Sequence, residues 1–123
     1  MKDIVFGAPV PVLRIFDEVK AKEFYLDFLQ YETDWAYGGE ELPAYMQISK
    51  GSCILHLSEH HGDACPGAAV RIPVEDIEEW HGRLIDKNYK YMKPGLEETP
   101  WNTREVKVTD PFGNRLVFYG LLS

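Results

Sequence analysis

One order of elements runs twice along this chain, and that duplication limits its fold more than any other feature. Residues 10–15 read as a strand, with Pro11 fit only for its start or edge. Asp17 is a good helix N-cap. Ala21, Phe24, Tyr25, Phe28 and Leu29 follow at spacings of three and four, which predicts a helix to Leu29 with one buried face. Strand-like runs at 31–37, 45–49 and 53–58 come next. Lys50-Gly51-Ser52 joins the last two as a hairpin, and 38–43 forms a loop. The order then repeats with a strand at 68–74 and a helix capped by Glu75 or Asp76, whose apolar face is Ile77, Trp80, His81 and Leu84. Strands at 89–92, 103–108 and 115–119 complete it, the last two joined by a turn at 110–114. Placing Asp17 on Asp76 superposes the halves at an offset of 59 residues, with Leu13 on Ile72 and Ile15 on Val74. The modules span about 8–62 and 67–121 within 123 residues, enough for one domain of two small modules sharing a core. A single helix covers one face of each module's strands. The other face must meet the second module, a partner chain or a ligand.

The composition excludes several classes. A net charge of −7 disfavours nucleic acid, whose phosphates need Lys and Arg. The same charge attracts cationic small molecules. No run approaches the roughly 18 apolar residues of a membrane span, and Met1-Lys2-Asp3-Ile4 does not open a signal peptide. With only Cys53 and Cys65, and no CxxC motif, the expectation is a reduced, cytoplasmic protein without a disulfide framework. Cys53 is expected to be buried in its strand. No nucleophile elbow or phosphate-cradling glycine loop occurs, so no catalytic residue is assigned.

Three stretches carry a family resemblance. They are Pro11-Val12-Leu13-Arg14-Ile15-Phe16-Asp17 leading into Ala21-Lys22-Glu23-Phe24-Tyr25, then Leu55-His56-Leu57-Ser58-Glu59-His60-His61-Gly62-Asp63, then Thr99-Pro100-Trp101 with Asp110-Pro111-Phe112-Gly113-Asn114. Over nearly its whole length the chain resembles the bleomycin resistance branch of the vicinal oxygen chelate, or glyoxalase-like, superfamily. The resemblance implies an α+β fold of two βαβββ modules forming incurved mixed sheets. It also implies a homodimer with ligand clefts near the subunit interface.

Metalloenzymes of that superfamily place His, Glu or Gln at strand positions occupied here by Val10, Ala69 and Val117. Neither Val nor Ala offers a lone pair to a metal, so no metal or other cofactor is expected. His56, His60 and His61 with Glu59 and Asp63 do not have a convincing ligand spacing. Residues 59–63 read as a structured loop with Gly62 at positive φ and Asp63 bonded to nearby backbone. His81 is expected to pack on its helix face.

Sixteen aromatic residues supply stacking surface. The resemblance maps an acidic residue and an aromatic after the first helix onto Asp34 and Trp35, and a Trp after Pro onto Trp101. These lead the ligand contacts, followed by Tyr37, Tyr45, Glu40, Glu41, His60 and Phe112. Where the family usually has Gly, Gln30 follows the helix-ending Leu and Asn102 follows Pro-Trp. Gln30 suggests a different helix end, whereas Asn102 tolerates positive φ. The expected function is metal-free sequestration of a bleomycin-type glycopeptide or another flat, cationic small molecule, conferring resistance. A metal-dependent glyoxalase or dioxygenase, and a binder of some other metabolite, remain the alternatives.

Overall fold

A computed structural model describes residues 2–38 and 42–122. Glu40 and Glu41 therefore lie outside the described residues. The elements are β1 (Val12–Arg14), α1 (Glu18–Lys22), a π-helix α2 (Glu23–Phe28), β2 (Glu32–Tyr37), β3 (Tyr45–Lys50), β4 (Cys53–Ser58), β5 (Ala69–Pro73), α3 (Ile77–Asp86), β6 (Glu97–Glu98), β7 (Thr103–Thr109) and β8 (Arg115–Leu121). They form two mixed four-stranded sheets, in the orders β1-β4-β3-β2 and β5-β8-β7-β6. β1 lies parallel to β4, with Val12 opposite His56. β5 lies parallel to β8, with Arg71 opposite Val117. Each module is thus βαβββ, as the repeated pattern implies. No helix among the described residues is long and apolar enough to cross a membrane.

Alternation along the strands divides each sheet into a buried and an open face. Leu13, Met46, Ile48, Leu55 and Leu57 of the first sheet are buried with Ala21, Phe24, Tyr25, Phe28 and Leu29 of the helical segment. Ile72, Val106, Val108, Leu116 and Phe118 of the second are buried with Ile77, Trp80 and Leu84 of α3. These sets make one core. Buried Tyr25 donates to Asp110 Oδ2 at 2.6 Å, and Asn114 Nδ2 donates to the Arg14 carbonyl at 2.7 Å, joining the modules by polar bonds.

Several local expectations need correction. The helix to Leu29 is α-helical only as far as Lys22. It then widens into π turns, with Leu29 N–H donating to the Phe24 carbonyl. The same five apolar side chains stay buried. Asp17 caps α1 as expected, accepting from Lys20 N–H. Asp76 stands before α3 but makes no side-chain cap bond. The strand expected at 89–92 is a turn, and the short strand falls at Glu97–Glu98 instead. Tyr89 stacks on Phe28 at 4.5 Å, which draws this segment onto the helix and away from the sheet edge. Gly62 is not among the positive-φ residues. A side chain there would meet the His60 ring at 2.9 Å, so the small residue serves close approach rather than backbone twist. Asp63 accepts from the Ser58 hydroxyl at 2.6 Å, not from backbone. Cys53 is half-buried against the Tyr31 hydroxyl, and both cysteines are free. His81 packs as expected, with Nε2 beside the Pro94 carbonyl.

Candidate functional site: the open faces of the two sheets

A bulge builds the first site. Thr33 pairs with Ile48 and Trp35 with Gln47, leaving Asp34 as the extra residue of β2. The inserted residue brings the Asp34 carboxylate onto the open face beside Trp35. There it accepts from Gln47 Nε2 and from the Ser49 hydroxyl, each at 3.0 Å. Trp35 lies nearly parallel to Tyr45, with an interplanar angle of 8° and centroids 5.9 Å apart. Tyr37 and His56 flank the indole at 5.4 and 5.2 Å. Tyr37 is 72% exposed and Trp35 37% exposed. A rigid aromatic platform therefore stands in solvent with a carboxylate at its edge.

Polar bonds run beneath this platform. The Tyr45 hydroxyl lies 2.7 Å from His56 Nδ1, and His56 Nε2 lies 2.9 Å from Gln47 Oε1. Gln47 passes the chain of bonds to Asp34. Burial, and then the nearby Asp63 carboxylate, hold the Tyr45 phenol above its ordinary pKa.

The second module repeats the geometry with other chemistry. Glu105, opposite Tyr119, occupies the place that Tyr45, opposite Ser58, holds in the first module. Its Oε2 accepts from Arg71 Nη2 at 2.8 Å, Thr103 Oγ1 at 2.8 Å and Trp101 Nε1 at 3.1 Å. The Arg71 guanidinium also covers the Tyr119 ring at 4.5 Å. These donors, the arginine above all, hold the Glu105 carboxyl down at a pKa of about 2. Glu105 is only 1% exposed. Trp101 is 61% exposed, so its ring is fixed by its N–H while its face stays open. Asn102 has a φ of +70°, as the sequence anticipated for this loop.

Asp34, Trp35, Tyr37 and Tyr45 therefore come together. Trp101 stands in the other module, and among the described residues no hydrogen bond or ring contact joins the two sets. His60 is held by its own loop. Its Nδ1 accepts from Gly62 N–H, and its ring stacks on His61. Phe112 tilts against Phe16 and packs on the core. Sequence reasoning missed Gln47, His56, Arg71 and Glu105. Alternation with the buried Leu55 and Leu57 puts His56 on the open face, but which neighbours it bonds depends on strand register.

The residues do not fit the metal of the wider fold class. Register places Arg71 and Lys107 on either side of Val117, so the expected carboxylate position holds a methyl-bearing side chain between two cations. Among the described residues no group of three or more His, Cys, Asp or Glu is placed to hold a metal ion.

Two crevices among the described residues lie elsewhere. One of about 400 Å³ includes Phe24 and Tyr91, and one of about 780 Å³ includes Pro11, Ile54, Ile72 and Trp80. Neither includes Trp35, Tyr37, Tyr45 or Trp101. An open sheet face encloses no volume until a second wall covers it.

Comparison with known proteins gives the family. A family model described as "Glyoxalase superfamily protein" matches residues 1–121. The chain is similar to the bleomycin-binding protein of bleomycin-producing Streptomyces verticillus, solved with copper(II)-bleomycin, at 28% identity and a TM-score of 0.69, covering 94% of this chain and 97% of that one. A second bleomycin-binding protein, solved with bleomycin, gives 17% identity and a TM-score of 0.72, with 94% and 98% covered. An antibiotic binding protein from Streptomyces sp. CB03234 gives 16% and 0.71, with 98% and 99% covered. Among curated proteins, none matches the chain by sequence. The family model spans both βαβββ modules, and the chain accordingly belongs to the glyoxalase superfamily.

Proposed function

We propose that the chain is a metal-free binding protein that sequesters a flat, cationic small molecule, a bleomycin-type glycopeptide being the leading candidate, without chemical turnover. One observation carries this reading: Trp35 and Tyr45 form a parallel, solvent-open platform flanked by Tyr37, with Asp34 at its edge. Flat rings stack on such a surface at small conformational cost, and a ring face next to a carboxylate attracts cations. The bleomycin complexes of two similar structures support the ligand class. Trp101 supplies a second exposed ring, and a second copy of the chain supplies the missing wall of the cleft. The apolar residues Val10, Ala69 and Val117 at the family's metal positions argue against the metalloenzyme alternative.

Calorimetric titration with metal-free and copper-loaded bleomycin tests the reading. Saturable micromolar binding is expected, with quenching of tryptophan fluorescence and unchanged drug recovered after denaturation. Trp35→Ala should weaken binding by about tenfold or more, on the order of the 1–3 kcal/mol of an aromatic stack on a flat base. A titration with no heat and no quenching at high micromolar drug would reject bleomycin as the ligand.

A further inference from the structure

We propose that Gln47 and His56 set the ligand class of the platform by making its polar edge an acceptor edge, which selects a flat ring carrying an amidinium, guanidinium or ammonium group. This rests on the platform being the ligand site.

The bonds from Asp34 to Tyr45 have a forced direction. As a carboxylate, Asp34 only accepts, so Gln47 must offer it the NH₂ end of its amide. That leaves Gln47 Oε1, an acceptor, facing His56 at 2.9 Å. His56 Nε2 must then carry the proton. In the neutral ring Nδ1 is left as an acceptor, and the hydroxyl of Tyr45 donates to it at 2.7 Å. The phenol remains protonated, since burial and Asp63 hold its pKa up. Its only proton is committed beneath the platform, so toward the open face its oxygen presents lone pairs alone.

Asp34 adds the same polarity. Its two oxygens each take one bond from the sheet and keep further lone pairs for a ligand. The Tyr45 oxygen and both Asp34 oxygens along this edge of the ring stack thus ask for a donor. A ligand with N–H groups at its rim satisfies that edge, and a cation gains the ring faces as well. A carboxylate at the same place meets lone pairs and a like charge, and loses its water without replacement.

Fluorescence titration with 2-naphthamidine and 2-naphthoate isolates the effect, because the two share a ring and differ at its rim. The wild-type protein should favour the amidine by about tenfold or more, the scale of one charge-assisted hydrogen bond. His56→Phe keeps a ring beside Trp35 but removes the acceptor for the Tyr45 proton. Gln47→Leu cuts the link between Asp34 and His56. Both side chains lie on the open face, outside the core. In both variants the naphthalene ring should still quench, while the preference falls to about threefold or less. Equal or tighter binding of naphthoate by the wild type overturns the inference and leaves the platform reading standing. A full preference surviving in both variants also overturns it, since selection would then come from Asp34 and overall charge alone. Binding of neither probe overturns it too, and the platform reading falls with it only if bleomycin also fails to bind.

Discussion

Glu105 shows how one side chain fixes a site it need not touch. Three donors converge on its Oε2, and one of them is the indole N–H of Trp101. Replacing the carboxylate with the amide of Glu105→Gln keeps an oxygen for the three donors but removes the charge that holds Arg71. The expected loss is about 1.5–3 kcal/mol of stability, the usual range for hydrogen bonds to a charged group, read by urea denaturation. The pH dependence has a definite sign. The folded pKa of about 2 lies below the ordinary 4.5, so this carboxylate's contribution is complete above about 4.5 and is lost as the pH falls through about 2. Between those limits wild-type stability should decline toward that of Glu105→Gln, and the variant should lack this part of the profile. A variant as stable as the wild type at pH 7, with the same acid profile, would show that the three bonds contribute nothing net. The exposure of Trp101 was legible in its loop position after Pro100. Glu105 was not, because alternation assigns its face but cannot say that Arg71, 34 residues earlier, lies beside it.

At the scale of elements, the helical segment shows both the reach and the limit of pattern. Spacings of three and four correctly identified Ala21, Phe24, Tyr25, Phe28 and Leu29 as buried. They carried no sign of the π turns, since the same apolar stripe suits either winding. The repeated strand-helix-strand-strand-strand order was legible and gave both modules, although the strand expected at 89–92 falls at Glu97–Glu98. The bulge at Asp34 was not, because one inserted residue leaves no mark in a short run of alternating side chains. Within our reading its consequence is functional, since the bulge sets a carboxylate beside Trp35. Gln30 was flagged as a departure at the helix end, and it now has a physical meaning. Its φ is +61°, a left-handed conformation that glycine adopts freely and glutamine does not. Gln30→Gly should therefore raise stability by ~1 kcal/mol, the lower end of the penalty for a side chain in this region. Its carbonyl, which accepts from Lys50, belongs to the backbone and survives the change. Denaturant midpoints compared at constant slope give the answer, and a decrease would mean that the glutamine side chain makes contacts worth more than its strain.

For the whole molecule the question is what covers two open sheet faces. Tyr37 and Trp101 are exposed on them, and Ile4, Val5 and Phe6 are exposed ahead of β1. Exposed aromatic surface of this kind marks a binding or association surface. Within our reading a second copy of the chain covers it and completes the cleft. Charge opposes that association, because each chain carries a net −7. Added salt screens the repulsion over a Debye length of ~10 Å at 0.1 M and ~3 Å at 1 M, while burial of apolar surface is not weakened by it. The dimer should therefore tighten as salt rises, the reverse of an interface held by ion pairs. Sedimentation equilibrium should give twice the chain mass of 14.2 kDa at micromolar concentration, with a dissociation constant that falls between about 0.02 and 0.5 M salt. Ligand binding is linked to the same equilibrium. If the cleft needs both copies, dilution below the dimer's dissociation constant lowers apparent affinity for the drug, and saturating drug shifts the population back toward dimer. A chain that stays monomeric at tens of micromolar and binds with dilution-independent affinity would show that one copy suffices. The platform would then be the whole site, and the second wall would belong to the ligand itself.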